Sequence, residues 1–234
     1  KYEQIIYRYQ DKKSTTTPFV QLALSEFLDI SEVILFVTEE SKAANLSSLQ
    51  AELSVPLKTV ELKNDYFEEL FLKLNQAIQP KDTLTIDVTH AFRSFPVAAL
   101  PMVNYLKLVK DVDVLGIFYG KVIGYENNKS GEIVDLSYIL DIQRWTLAAQ
   151  AFLTYGKVDQ LVNLLKEIVK KGFTDGGEIK PKNISRLSRA LESMNEHVAL
   201  NRLKEIAEEA EKVQEMLNSD MLIDETKARA QLLL

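Results

Sequence analysis

The stretch Thr83-Leu84-Thr85-Ile86-Asp87-Val88-Thr89-His90 decides how the rest of the chain is read. Thr83 to Val88 has the β-branched and apolar content of a buried strand, yet the run ends in a carboxylate, a hydroxyl and an imidazole. Polar groups at the carboxyl end of a parallel strand sit where open α/β sheets bind their ligands. Outward from this segment, strand and helix signals alternate. Strands are predicted at Tyr2–Tyr9, Glu32–Val37, Leu57–Leu62, Thr83–Val88 and Val112–Tyr119. Helices are predicted from Thr17-Pro18 to about Leu28, over Ser41–Leu53, from an Asp65 cap to Ile78, and over Phe92–Val109. Thr17 reads as the N-cap of the first helix and Pro18 as its first residue. Lys12 to Thr17 reads as a polar connector, and Val122–Tyr125 with Ile133–Leu136 as a small hairpin. Such alternation predicts a Rossmann-like, mostly parallel sheet with right-handed crossovers.

From Asp141 the strand signals stop. Helices are predicted at Ile142–Tyr155, Val158–Lys171, Ile184–His197 and Leu200–Leu217, with Gly172–Lys182 as a loop. Leu161, Leu164, Leu165 and Ile168 form one apolar stripe; Leu203, Ile206, Ala210, Val213 and Leu217 form another. The expected fold class is therefore α/β: a sheet domain over residues 1–140, then an all-α domain over residues 141–234. Residues 1–140 hold 14 Lys/Arg and 19 Asp/Glu, net −5, whereas residues 141–234 hold 14 and 15, net −1.

A net charge of −6 argues against duplex DNA as a partner, since nonspecific binding needs a basic footprint. There is no cysteine, hence no disulfide framework and no thiolate metal site; this fits a reducing cytosol, and a cytoplasmic location is expected. No apolar run reaches the roughly 18 residues of a membrane helix. The chain starts at Lys1 and ends on Gln231-Leu232-Leu233-Leu234, which reads as a piece of something longer.

The candidate ligand site centres on Asp87, Thr89 and His90. Ala91 follows, then Phe92 at the start of the next helix and Arg93 in its first turn, where free amides and a guanidinium favour an anion. The alternative is that Asp87 merely caps that helix and His90 packs in a loop. Other strand ends add Thr38 and Glu39 after Val37, and Phe118 and Tyr119 after Ile117. Either aromatic could stack on a base, or Phe118 could be core. Thr38-Glu39-Glu40 could equally be a helix start with acids at its dipole. Thr16, within Ser14-Thr15-Thr16-Thr17, belongs to a solvated connector or to a second set of phosphate donors; the composition favours the connector. The chain has two histidines, His90 and His197, and neither has metal-ligand spacing around it. No Gly-x-Ser-x-Gly elbow, P-loop or Gly-x-Gly-x-x-Gly occurs. Arg186 and Arg189 precede His197 on one predicted helix. An Arg with a His could cleave RNA, although a surface histidine near a helix end is the commoner case.

Asp87-Val88-Thr89-His90-Ala91-Phe92-Arg93-Ser94-Phe95-Pro96 resembles the Asp-x-Thr-His-Gly motif of the CRISPR-associated Rossmann-fold (CARF) family. The ordered segments around it agree: Tyr7-Arg8-Tyr9, Thr17-Pro18-Phe19-Val20-Gln21-Leu22-Ala23-Leu24, and Ile34-Leu35-Phe36-Val37-Thr38-Glu39-Glu40. Trp145 to Leu165, with Tyr155-Gly156 between helices, is similar to the linker helices of that group. Ala91 stands where the family usually has Gly, and the family's Gly-containing first strand has no counterpart here. Many members carry a C-terminal HEPN ribonuclease domain with an Arg-x4–6-His motif. Seven residues separate Arg189 from His197, outside that spacing, so the catalytic residues are unknown.

The resemblance implies a cyclic oligoadenylate sensor of type III CRISPR defence. It would be a homodimer with the ring across its twofold axis, and in the intact protein an endonuclease of single-stranded RNA. The activating ligand would be the cyclic oligoadenylate, with no other cofactor and no metal. Two alternatives stand beside it: a ring nuclease that cleaves the ligand in the α/β site, and a non-catalytic regulator. Asp87 is expected to orient Thr89 and the turn; Thr89, His90 and Arg93 are expected to meet the ligand.

Overall fold

The computed structural model describes residues 3–63, 67–90, 95–124, 129–174 and 181–218. It divides into two compact units, Lys1–Tyr138 and Ile139–Leu234. The first is α/β. Its elements are β1 (Ile5–Tyr9), β2 (Lys12–Thr17), α1 (Val20–Phe27), β3 (Val33–Val37), α2 (Glu39–Glu52), β4 (Leu57–Glu61), α3 (Phe67–Ala77), β5 (Thr83–Asp87), α4 (Phe95–Lys110), β6 (Asp113–Ile123) and β7 (Ser130–Asp135). Five strands form one sheet in the order β2-β1-β7-β6-β5, and β3 pairs with β4 in a separate ladder. β1 with β7, β3 with β4 and β5 with β6 run parallel. β1 with β2 and β6 with β7 run antiparallel.

Three expectations are corrected here. Lys12–Thr17 is not a connector but strand β2, with Ile5 opposite Thr17 and Ile6 opposite Thr16. Its inward positions carry Ser14 and Thr17, both buried. The hydrophobic alternation that marks a strand is thus replaced by small hydroxyl residues, which satisfy themselves locally. Ser14 Oγ accepts the Tyr7 amide at 2.9 Å, and Thr17 Oγ1 accepts the Phe19 amide at 3.1 Å. That second bond also moves the start of α1. Phe19 is the N-cap residue, so Thr17 and Pro18 lie outside the helix. Finally, β6 runs unbroken from Asp113 to Ile123, so the hairpin is formed by its outer half with β7.

Apolar faces close the unit. Val20, Ala23, Leu24 and Phe27 of α1 pack on Ile5, Tyr7, Phe118 and Ile133. Elsewhere Ile34 of β3 and Leu84 of β5 share a cluster with Ile78, Leu106 and Val112. The predicted Asp65 cap and residues 125–128 of the predicted hairpin lie outside the described residues.

The second unit holds α5 (Tyr138–Tyr155, which begins at the last residue of the first unit), α6 (Asp159–Thr174), α7 (Pro181–Ala199) and α8 (Leu203–Asn218). The Gly172–Lys182 loop is shortened from both sides by α6 and α7; residues 175–180 lie outside the described residues. Gly156 has φ +67° and ends α5, its amide donating to the Phe152 carbonyl at 2.8 Å; a glycine adopts this left-handed geometry without a Cβ penalty. Trp145, Leu161, Leu165, Ile184, Leu187 and Leu191 form one core, with Ile206 and Val213 packed against it. Leu203 and Ala210 continue the predicted α8 stripe but are exposed. Among the described residues no helix is long and apolar enough to cross a membrane.

Candidate functional site

The site is built where β5 ends. Parallel pairing sets Asp87 beside Phe118, and the Val88 amide donates to the Phe118 carbonyl at 3.0 Å. Past Asp87 the chain leaves the ladder and turns at Thr89-His90. The Asp87 carboxylate holds that turn. Its Oδ1 accepts the Thr89 amide at 2.9 Å and also the Thr89 hydroxyl. Its Oδ2 accepts the Gln21 side-chain amide of α1 at 2.6 Å. The Thr89 hydroxyl then accepts the Gly120 amide of β6 at 2.7 Å. A Cβ at Gly120 would lie 2.5 Å from Val20 Cγ2 and 3.3 Å from Thr89 Cγ2, so this approach requires glycine.

One carboxylate thus ties α1, β5 and β6 together through hydrogen bonds to a charged acceptor, the stronger kind. Its field reaches further. Burial pushes the Tyr7 phenol pKa up, and the Asp87 charge adds to the rise. For His90 the two causes oppose each other: loss of hydration lowers the imidazole pKa and the Asp87 charge raises it, with a net lowering. The residue is nonetheless exposed by surface area. Above its lowered pKa His90 is neutral and can accept a proton, and its exposed position lets it meet a ligand.

The other candidates fall into different places. Thr38 is the N-cap of α2 in a reciprocal capping arrangement with Ser41, and Glu39 stands in the first helical turn. The hydroxyl and the acid therefore serve the helix start. Phe118 is 3% exposed and meets Tyr9 edge-on with ring centroids 5.7 Å apart, so its ring is core and cannot stack on a base. Tyr119, on the opposite face of the strand, is exposed. Thr16 is exposed on β2, in a strand rather than in a phosphate-binding loop. Ala91, Phe92 and Arg93 lie outside the described residues.

Gln21 and Gly120 are site residues that sequence reasoning missed. The signal for Gln21 was present: it is the one polar residue within Phe19-Val20-Gln21-Leu22-Ala23-Leu24. Gly120 carried none, because its need for space depends on Val20 and Thr89.

In the helical unit, Arg189 and His197 share α7. Eight residues at 1.5 Å rise put them about 12 Å apart along the axis, too far to act on one phosphate. The Arg189 Nε donates to the Ser185 carbonyl at 3.2 Å, and His197 Nε2 lies 3.4 Å from Ser193 Oγ. Among the described residues no group of three His, Cys, Asp or Glu could hold a metal ion.

With this geometry in place, similarity to known proteins adds a second line. Residues 141–233 match the family described as CRISPR-associated protein MJ1674, second domain. Over 209 residues the chain is 25% identical to CRISPR-associated protein MJ1674 of Methanocaldococcus jannaschii, covering 88% of this chain and 30% of that protein. The similarity is to a CRISPR-associated protein. The alignment takes in most of the α/β unit as well as the helical one, since it covers more of the chain than either unit alone. The chain spans less than a third of that relative's length.

Proposed function

We propose that the α/β unit binds a cyclic oligoadenylate and that the helical unit belongs to the effector it controls, an endonuclease of single-stranded RNA in the intact protein. One observation carries this reading: the Asp87-locked turn at the carboxyl end of β5 presents His90 to solvent. A ligand edge of this kind is where an open α/β sheet takes a nucleotide. The Asp-x-Thr-His sequence, through its family resemblance, and the similarity to a CRISPR-associated protein support a cyclic oligoadenylate as that nucleotide. Asp87 serves as the frame. Thr89 gives its hydroxyl proton to Asp87 and keeps one lone pair beyond the Gly120 bond, so its remaining capacity is as an acceptor. His90 is the group assigned to meet the ring, together with Arg93 three residues further along the sequence. A homodimer suits a symmetric ring, because both protomers then present the same surface. Calorimetric titration of the chain with cyclic tetra- and hexa-adenylate tests this. Saturable binding of one is expected; no binding of either sinks the reading.

Ring cleavage in the same site is the second reading, favoured by the lowered pKa of His90. A neutral imidazole near pH 7 can take the proton of a ribose 2′-hydroxyl as it attacks the adjacent phosphate in line; the bond from phosphorus to the 5′-oxygen breaks, that oxygen takes a proton from water, and a 2′,3′-cyclic phosphate remains. Incubation with the ring ligand separates the two: linear products indicate cleavage, and unchanged ring indicates sensing alone.

A further inference from the structure

We propose that Gln21 is a positioning residue of the ligand site, holding the Asp87 carboxylate so that the Thr89-His90 turn keeps the shape that meets the ligand. The proposal rests on the ligand-binding reading above. Its physical basis is the satisfaction of a half-buried carboxylate. Asp87 Oδ1 is occupied by the Thr89 amide and hydroxyl, and Oδ2 by the Gln21 amide at 2.6 Å. Among the described residues these are its donors. A carboxylate with one oxygen unsatisfied in a partly dehydrated setting must rotate toward water or draw water in. Either movement releases the Thr89 bonds, and with them the turn that carries His90.

The geometry of α1 strengthens the assignment. Gln21 touches the start of the hydrogen-bonded chain at Asp87. Its neighbour Val20 touches the end, standing where a Cβ on Gly120 would be 2.5 Å away. The first turn of α1 therefore clamps both ends of the Asp87–Thr89–Gly120 chain. Apolar packing alone accounts for Val20, Leu22, Ala23 and Leu24, all buried. It gives no reason for an amide between them, whereas the Asp87 bond does.

The test compares three versions of the 234-residue chain: wild type, Gln21→Met and Gln21→Lys. Methionine keeps the volume and loses the donor; lysine restores a donor to Asp87. Two readouts are taken on each: affinity for cyclic tetra- and hexa-adenylate, and amide hydrogen exchange at Thr89 and Gly120 without ligand. Loss of one charge-assisted hydrogen bond predicts about tenfold weaker binding and about tenfold faster exchange in Gln21→Met. Exchange at Leu165 in the helical core stays unchanged, which separates a local loosening from general destabilisation. Gln21→Lys recovers both readouts. Wild-type exchange in Gln21→Met, wild-type affinity in Gln21→Met, or equal loss in both variants overturns the role of Gln21. If the wild-type chain binds neither ring, the ligand reading falls by itself, and exchange at Thr89 and Gly120 still decides whether Gln21 holds the turn.

Discussion

The helical unit and the end of β5 are held together by different means. In α5 to α8, side chains spaced three and four apart on each helix meet in one apolar core, and Leu161, Leu187 and Leu191 are almost fully buried. At the end of β5, polar groups from Gln21, Asp87, Thr89 and Gly120 converge by hydrogen bonds. The first arrangement tolerates exchange of one apolar residue for another of similar volume. The second does not, because each group satisfies a particular donor or acceptor. The histidines follow the same division. His90 sits in the field of Asp87, while His197 neighbours Ser193 on its own helix. The contrast teaches where chemistry can reside. The helical unit has depth and regularity, and the strand end has orientation and charge.

This contrast can be broken most strongly in the helical core. Leu161→Ala removes a fully buried side chain and is expected to cost about 3 kcal/mol, read as a lower midpoint in urea unfolding. A loss within 1 kcal/mol would mean the core can collapse around the gap, as a loosely packed bundle would. Gly120→Ala tests the other region. The new Cβ meets Val20 Cγ2 at 2.5 Å, and we expect a cost of about 2 kcal/mol, with weaker ligand binding. The same substitution at an open surface position would be near neutral. A stable Gly120→Ala with unchanged binding would show that α1 does not press on the strand end.

The same division explains what the sequence discloses. The α5–α8 core was legible because a stripe such as Leu161, Leu164, Leu165 and Ile168 depends only on helical period. Asp87, Thr89 and His90 were legible because polar residues closing a buried strand contradict its burial. Lys12–Thr17 was misread because its inward residues are hydroxyls; strand character there comes from pairing with β1, which no local pattern encodes. Phe118 looked like a base-stacking candidate, since its burial depends on Tyr9 and Phe27, about a hundred residues earlier. Thr38 could not be assigned from spacing, because a cap and a ligand donor use the same hydroxyl. Gln21 and Gly120 depend on contacts 66 and 31 residues away along the chain, and only the fold reveals them.

A smaller effect is expected from Thr89. Thr89→Val keeps the shape and removes the hydroxyl, leaving the Gly120 amide without its acceptor and Asp87 without one donor. The cost is about 1.5 kcal/mol, and Thr89→Ser recovers most of it. If valine is as stable as threonine, the chain through Asp87 is not what holds β6 to the turn.

The smallest effect is a pH dependence, and its sign follows from the setting of His90. Burial lowers the folded-state pKa of His90 below the value of about 6.5 that it has when unfolded. Between the two values the unfolded chain binds more protons than the folded one, so stability rises with pH there. The stability associated with neutral His90 is therefore complete above the unfolded pKa and is lost as pH falls through the folded one. His90→Gln should flatten this part of the stability curve, measured by urea unfolding at steps from pH 7.5 downward. Asp87→Asn acts in the opposite direction from a simple loss of contact. Removing the charge that raises the His90 pKa should lower it further, which an NMR titration of the ring reads directly. An upward shift in Asp87→Asn would mean that the loosened turn exposes the ring to water, and that Asp87 governs His90 through position more than through charge.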